Sequence, residues 1–95
     1  MKELHELRQE LDQLDKEIVA AFEKRMAISR QVAKYKLTHN LPVLDQSREN
    51  QVIASREAML SDATLAPSLR SLFETIMALS RQEQEALIRE VRGDA

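Results

Sequence analysis

The segment from Leu4 to about Lys36 constrains the fold most, because apolar residues recur through it with unbroken heptad spacing. No proline or glycine interrupts the segment. The a and d positions of its heptads hold Leu4, Leu7, Leu11, Leu14, Ile18, Ala21, Ile28, Val32 and Tyr35. This pattern predicts one long amphipathic helix with a continuous apolar seam.

One position of that seam holds a permanent cation. Arg25 occupies the a position between Ile18 and Val32. A guanidinium keeps its proton, so burying it is costly unless an anion lies beside it. The anion is either a carboxylate of the protein or a carboxylate of a ligand, and the function depends on which of the two is present.

The composition favours an all-α fold with three helices. The 95 residues include one glycine and two prolines, and only 3% are aromatic, whereas good helix formers abound. Asn40 and Pro42 are expected to end the first helix, Asp45 to cap the second, and Pro67 and Gly93 to begin and close the third. We predict one domain over residues 1–95, with helices over roughly 2–38, 45–60 and 66–91.

Several classes of partner are disfavoured. A net charge of −2 argues against a nucleic-acid partner, and no apolar run is long enough to span a membrane. The N-terminal residues lack the apolar core of a signal peptide, and the absence of cysteine fits a reducing cytoplasm. His5 and His39 stand apart from other ligand types, so we expect no metal site.

The length of the first helix predicts an intertwined homodimer. At ~1.5 Å per residue the helix is roughly 50 Å long, whereas a compact globule of this size is only about 30 Å across. The overhanging residues Leu4, Leu7, Leu11 and Leu14 then need cover from a second chain. The alternative is an N-terminal arm that frays in solution.

The third helix also carries polar residues within an apolar stripe. Ser80 and Gln84 lie four residues apart in the stripe, where apolar side chains are expected. A buried hydroxyl or amide without a partner costs about 1–3 kcal/mol. The pair either forms an interhelical hydrogen-bond network, sets the helix register, or lines a polar cavity together with Arg25.

Two further cations have a defined spacing from Arg25. Lys36 follows it by eleven residues, within ~20° of the same helix face, so the two side chains are able to bracket a small dianion. Arg8 precedes it by seventeen residues, or roughly 25 Å, so it reaches the same ligand only from a partner chain. Otherwise Lys36 is a solvated lysine near a helix end, and Arg8 is a surface arginine among neighbouring acids.

The start of the second helix presents Asp45, Arg48 and Glu49 on one face, at i, i+3 and i+4. The group is either a helix cap with favourable first-turn acids or a polar edge of the cavity, where Glu49 accepts a hydrogen bond from a ligand hydroxyl. No nucleophile–histidine–acid constellation and no glycine-rich phosphate loop is visible.

These residues together resemble the all-helical class of chorismate mutase over nearly the whole chain. The most specific parts are the segment Pro42-Val43-Leu44-Asp45-Gln46-Ser47-Arg48-Glu49 and the Ser80–Gln84 pair, supported by the segment from Leu7-Arg8 to Leu14-Asp15, by Arg25 and by Lys36. The resemblance implies an intertwined all-α homodimer with two identical sites, which agrees with the length argument.

The resemblance also implies that the substrate is bound by Arg8, Arg25, Lys36, Asp45, Arg48, Glu49, Ser80 and Gln84. Lys36 and Gln84 would be the catalytic pair, both donating to the ether oxygen of the substrate, with Lys36 also contacting a carboxylate. The cofactor-free reaction forms no covalent intermediate, which accounts for the missing nucleophile.

The other roles follow from the same resemblance. Arg8 would reach one substrate carboxylate from the partner chain, and Arg25 would bind a carboxylate within its own chain's site. Ser80 would also contact a carboxylate. Asp45 would contribute mainly through its backbone, and Glu49, beside Arg48 at the start of the second helix, would receive the ring hydroxyl.

The resemblance therefore predicts an isomerase that converts chorismate to prephenate in aromatic amino acid biosynthesis, and we expect a cytoplasmic location. Two alternatives remain open. One is an isochorismate pyruvate-lyase of the same fold, against which the intact Asp45 and Glu49 argue. The other is a non-catalytic helical dimerisation module, in which Arg25, Ser80 and Gln84 satisfy one another or buried acids.

Overall fold

The computed structural model describes residues 1–93 and contains three α-helices within that range. They are α1 (Leu4–Thr38), α2 (Gln46–Glu57) and α3 (Ala66–Arg92), with one 3₁₀ turn at Ala63–Leu65 before α3. Residues 1–93 contain no strand, and none of their helices is long and apolar enough to cross a membrane. The all-α, three-helix prediction is confirmed; residues 94 and 95 of the predicted domain lie outside the described residues.

Local sequence signals define most helix ends. Asn40 adopts a left-handed φ of 55° just after α1, and Gly93 adopts a φ of 75° at the end of α3. The Asp45 carboxylate caps α2 by accepting a hydrogen bond from the Arg48 amide at 3.0 Å. Pro67 lies in the first turn of α3, where its missing N–H leaves no helical hydrogen bond unmade.

Helix α2 ends at Glu57, earlier than the predicted residue 60. The chain continues to coil beyond that point, but with tighter bonds. Met59 N–H donates to the Arg56 carbonyl at 3.0 Å, and Leu60 N–H donates to the Glu57 carbonyl at 3.1 Å. These i→i−3 bonds tighten the last turn, as they commonly do at helix ends.

Helix α3 holds the other two helices together. It runs antiparallel to α2, since Arg81 contacts Glu49 and Arg70 contacts Glu57. Its second half runs in the same direction as the C-terminal half of α1. There the hydroxyls of Ser29 and Ser80 lie 2.6 Å apart, and a second polar contact follows further along both helices.

The hydrophobic core of one chain is small. The buried apolar side chains among residues 1–93 are Ala33, Val52, Ile53, Met77 and Leu87. The molecule is elongated, with extents of 56 × 26 × 17 Å, because the N-terminal half of α1 projects beyond the other helices. Its four leucines (Leu4, Leu7, Leu11 and Leu14) remain between 44% and 60% exposed. The second chain that would cover them stays a prediction.

Stability should depend on Leu87, which is 3% exposed between the helices. We expect Leu87→Ala to lower the free energy of unfolding by about 2–5 kcal/mol, because it leaves a cavity in a small core. The control is Met59→Ala, at a site that is 72% exposed. This substitution should change the free energy of unfolding by less than about 0.5 kcal/mol. Urea unfolding at matched protein concentration measures both, and equal effects would contradict this assignment of the core.

Candidate active site

A cavity of about 340 Å³ lies where the three helices meet. Its volume falls within the range of small-molecule sites. All of the site residues predicted from the sequence, except Arg8, line this one cavity: Arg25, Lys36, Asp45, Arg48, Glu49, Ser80 and Gln84. The structure adds the polar residues Ser29 and Arg81 and the apolar residues Ile28, Val32, Val43, Val52 and Met77.

Arg25 projects from α1 into the cavity and is partly buried. It forms no ion pair with any acid in residues 1–93. Burial lowers the pKa of its guanidinium, and the positive charges of Arg56 and Arg48 lower that pKa further. No carboxylate of the described chain therefore meets this cation, and the guanidinium is suited to binding an anion from outside.

Lys36 lies in the last turn of α1 and is held by two acceptors. Its Nζ donates to the Val43 carbonyl at 2.6 Å and to Gln84 Oε1 at 3.1 Å. The first bond ties the helix to the segment that follows it, and the second ties α1 to α3. An ammonium has three hydrogens, so one donor remains beyond these two contacts.

Gln84 and Ser80 continue this network into the buried part of the cavity wall. Gln84 Nε2 lies 3.4 Å from Ser80 Oγ, and Ser80 Oγ lies 2.6 Å from Ser29 Oγ. Because Lys36 only donates, the Gln84 amide turns its oxygen toward the lysine and its nitrogen toward the serine. The interhelical network and the polar cavity, which the sequence left as alternatives, therefore occur together.

The first turn of α2 forms the opposite wall. Asp45 and Arg48 are exposed, and the Asp45 carboxylate caps the helix. Glu49 is more enclosed, with a side chain 16% exposed, and it forms an ion pair with Arg81 of α3. The sequence left open whether this group caps the helix or forms a polar edge of the cavity. In the structure it does both.

The net charge of the cavity wall is opposite in sign to the net charge of the whole chain. The cations Arg25, Lys36, Arg48 and Arg81 and the carboxylates of Asp45 and Glu49 line the cavity. Two positive charges are therefore in excess at the site, although the chain as a whole carries a net charge of −2. Such a cavity complements a small ligand with two negative charges.

Sequence reasoning missed Ser29 and Arg81. Ser29 follows Arg25 by one helical turn and lies on the face that also carries Lys36, so helical spacing alone was sufficient to find it. Arg81 is adjacent to Ser80, but nothing in the sequence indicates that it meets Glu49, because that contact depends on how α2 and α3 pack.

Arg8 is the one predicted site residue that the fold keeps away from this cavity. It lies on the exposed N-terminal half of α1, and the straight helix separates it from Arg25 by roughly 25 Å.

No group of three or more His, Cys, Asp or Glu side chains within residues 1–93 is arranged to hold a metal ion.

Comparisons with known proteins agree with the site. Residues 7–85 match the family described as chorismate mutase type II. The T-protein of Haemophilus influenzae is 35% identical over 69 residues, covering 73% of this chain and 18% of that protein. The bifunctional chorismate mutase/prephenate dehydratase of Aquifex aeolicus is 35% identical over 52 residues, covering 55% of this chain and 14% of that protein.

The chain thus spans less than a fifth of the length of these two curated relatives. No solved structure matches it significantly. The family match extends over most of the chain and includes every residue that lines the cavity. The chain therefore belongs to the chorismate mutase type II family.

Proposed function

We propose that the chain is an isomerase that converts chorismate to prephenate in aromatic amino acid biosynthesis. Family membership supports the reaction class. The observation that carries the proposal is Arg25, which pairs with no acid of residues 1–93 and lines a cavity of about 340 Å³ with two excess positive charges. Chorismate is a small dianion, so it supplies the counter-charges that the described chain lacks there.

Substrate binding uses the charges of the cavity and the hydrogen-bonding capacity that its polar groups retain beside their mutual contacts. Arg25 binds one carboxylate, with Ser80 contributing a hydrogen bond, since a desolvated guanidinium gains most from a charged partner. The positive charge of Lys36 attracts a carboxylate, and its one remaining N–H donor is shared between that carboxylate and the ether oxygen. Glu49 accepts the ring hydroxyl, and the backbone at Asp45, with Arg48 beside it, completes the wall. Holding a flexible dianion in its reactive shape lowers the barrier through positioning.

The chemical step needs donors aimed at the ether oxygen. In the rearrangement the C–O bond breaks as a C–C bond forms, and negative charge develops on that oxygen without any proton transfer. Lys36 and Gln84 are the catalytic pair. Their mutual hydrogen bond and the contacts to Val43 and Ser80 fix both side chains before substrate arrives. Donors fixed in this way stabilise the developing charge without reorganisation.

We further propose an intertwined homodimer with two sites, each completed by Arg8 of the other chain. The exposed leucine seam of α1 supports it, because an apolar stripe of this length rarely faces water in a monomer. The location of Arg8 on the same overhanging half of α1 supports its role in the partner's site. A cytoplasmic location is part of this proposal, since a chain without cysteine suits a reducing compartment.

The reaction itself is tested by incubating the protein with chorismate and measuring prephenate and pyruvate. We expect chorismate to disappear with a matching amount of prephenate and no pyruvate. Pyruvate formed from isochorismate would indicate the lyase of the same fold. A folded protein that leaves both substrates unchanged would indicate a non-catalytic dimerisation module.

Removing the Lys36 ammonium should abolish most turnover. We expect Lys36→Ala to lower kcat/KM by at least roughly 10²–10³-fold, because one preorganised donor to the ether oxygen is lost. Lys34→Ala is the matched control, since Lys34 is an exposed lysine of the same helix outside the cavity. It should retain wild-type kinetics. Equal rates for the two variants would remove Lys36 from the mechanism.

Replacing the neutral amide of Gln84 by a carboxyl should make activity depend on pH. In the Gln84→Glu variant the protonated carboxyl still donates to the ether oxygen, whereas its ionised form repels the developing charge. Activity should be fullest at acidic pH and fall as the pH rises through the pKa of the new carboxyl. A ratio of mutant to wild-type kcat/KM that is constant with pH would exclude Gln84 from the ether oxygen.

Subunit mixing tests the dimer and Arg8 together. Arg8→Ala and Lys36→Ala should each be nearly inactive alone. After equal amounts are unfolded and refolded together, half of the dimers contain one chain of each kind, and each of these has one intact site. We expect about a quarter of wild-type activity to return. Absence of recovery, despite a dimer in sedimentation, would show that Arg8 does not act across the interface.

A further inference from the structure

The ion pair between Arg81 and Glu49 lies in the wall of the substrate cavity. Arg81 projects from α3 and Glu49 from the first turn of α2, and both side chains line the cavity. The Arg81 Nη1 donates to Glu49 Oε1. Their side chains are 31% and 16% exposed, so water screens the pair only in part.

The carboxylate of Glu49 presents an electrostatic problem at this place. A negative charge in the wall of a cavity that receives a dianion repels the ligand, most strongly where water is excluded. Arg81 places a positive charge directly against that carboxylate. It also engages only Oε1, and no group in residues 1–93 donates to Oε2.

We propose that Arg81 is a positioning residue that neutralises Glu49 toward a dianionic substrate and fixes its carboxylate with Oε2 free to accept the ring hydroxyl. The inference rests on the proposed function and deepens it. Arg81 acts through Glu49 and does not contact the substrate. One cavity is then able to hold both the Glu49 carboxylate, which accepts the ring hydroxyl, and the two carboxylates of the substrate without strong repulsion between them.

A purely structural tie between α2 and α3 is the competing explanation, and the chain offers a direct comparison. Arg70 Nη2 lies 2.6 Å from Glu57 Oε1, joining the same two helices. Neither residue lines the substrate cavity. The two ion pairs therefore differ in their relation to the site, whereas both connect α2 to α3.

The test is a double-mutant cycle with chorismate kinetics. Arg81→Met should raise KM roughly 10–100-fold, as expected for one uncompensated charge near a charged ligand, with a much smaller change in kcat. Arg81→Lys should retain most of the affinity, because it keeps the charge. Arg70→Met should leave KM unchanged even where it lowers the thermal stability.

The second half of the cycle removes the charge of Glu49. In the Glu49→Gln background, Arg81→Met should change KM by no more than about 3-fold, because no carboxylate remains to be neutralised. An unchanged KM in Arg81→Met, or an effect of equal size in both backgrounds, would overturn the inference while leaving the proposed function intact. A folded wild-type protein without chorismate turnover would overturn both.

Discussion

The guanidinium of Arg25, which pairs with no acid of residues 1–93, is the constraint around which the rest of the structure is arranged. A cation in the apolar seam of a helix is tolerated when an anion or water reaches it. Here the acids of that range are used elsewhere, as helix caps, in ion pairs with other cations or on the surface. A cavity therefore lies beside Arg25, and the positive charges of Arg56 and Arg48 make an anion next to the Arg25 guanidinium more favourable.

The polar residues of the cavity serve stability and chemistry at once. Lys36, Gln84, Ser80 and Ser29 form a continuous chain of contacts between α1 and α3, so each of these polar groups has a partner without ligand. This removes the cost of unsatisfied groups. The same contacts fix the orientation of the two donors that the proposed reaction requires. Preorganisation is thus a by-product of satisfying the helix interface.

Much of the fold and most of the cavity were predictable from sequence because they depend on local rules. Asn40, Asp45, Pro67 and Gly93 define helix ends through backbone preferences that act over a few residues. The alignment of Arg25 with Lys36 follows from helical periodicity. These signals need no knowledge of packing.

The features that the sequence did not predict depend instead on contacts between helices. The pairing of Arg81 with Glu49 is set by the antiparallel packing of α2 on α3, which no local pattern encodes. The site residues that the sequence predicts within one chain give this cavity one excess positive charge, and Arg81 raises the excess to two. The match to a dianion, already predicted from the spacing of Arg25 and Lys36, is thus strengthened by a residue that only the structure places there.

The small core links folding to the completion of the site. The five buried apolar side chains among residues 1–93 give one chain little stability, while the leucine seam of α1 remains exposed. In the dimer that we propose, covering this seam adds the missing apolar burial and brings Arg8 to the partner's cavity in the same step. Stability and activity would then depend on association through one helix. In that dimer both would require the length of α1, since a shorter helix would lose the interface and the second arginine together.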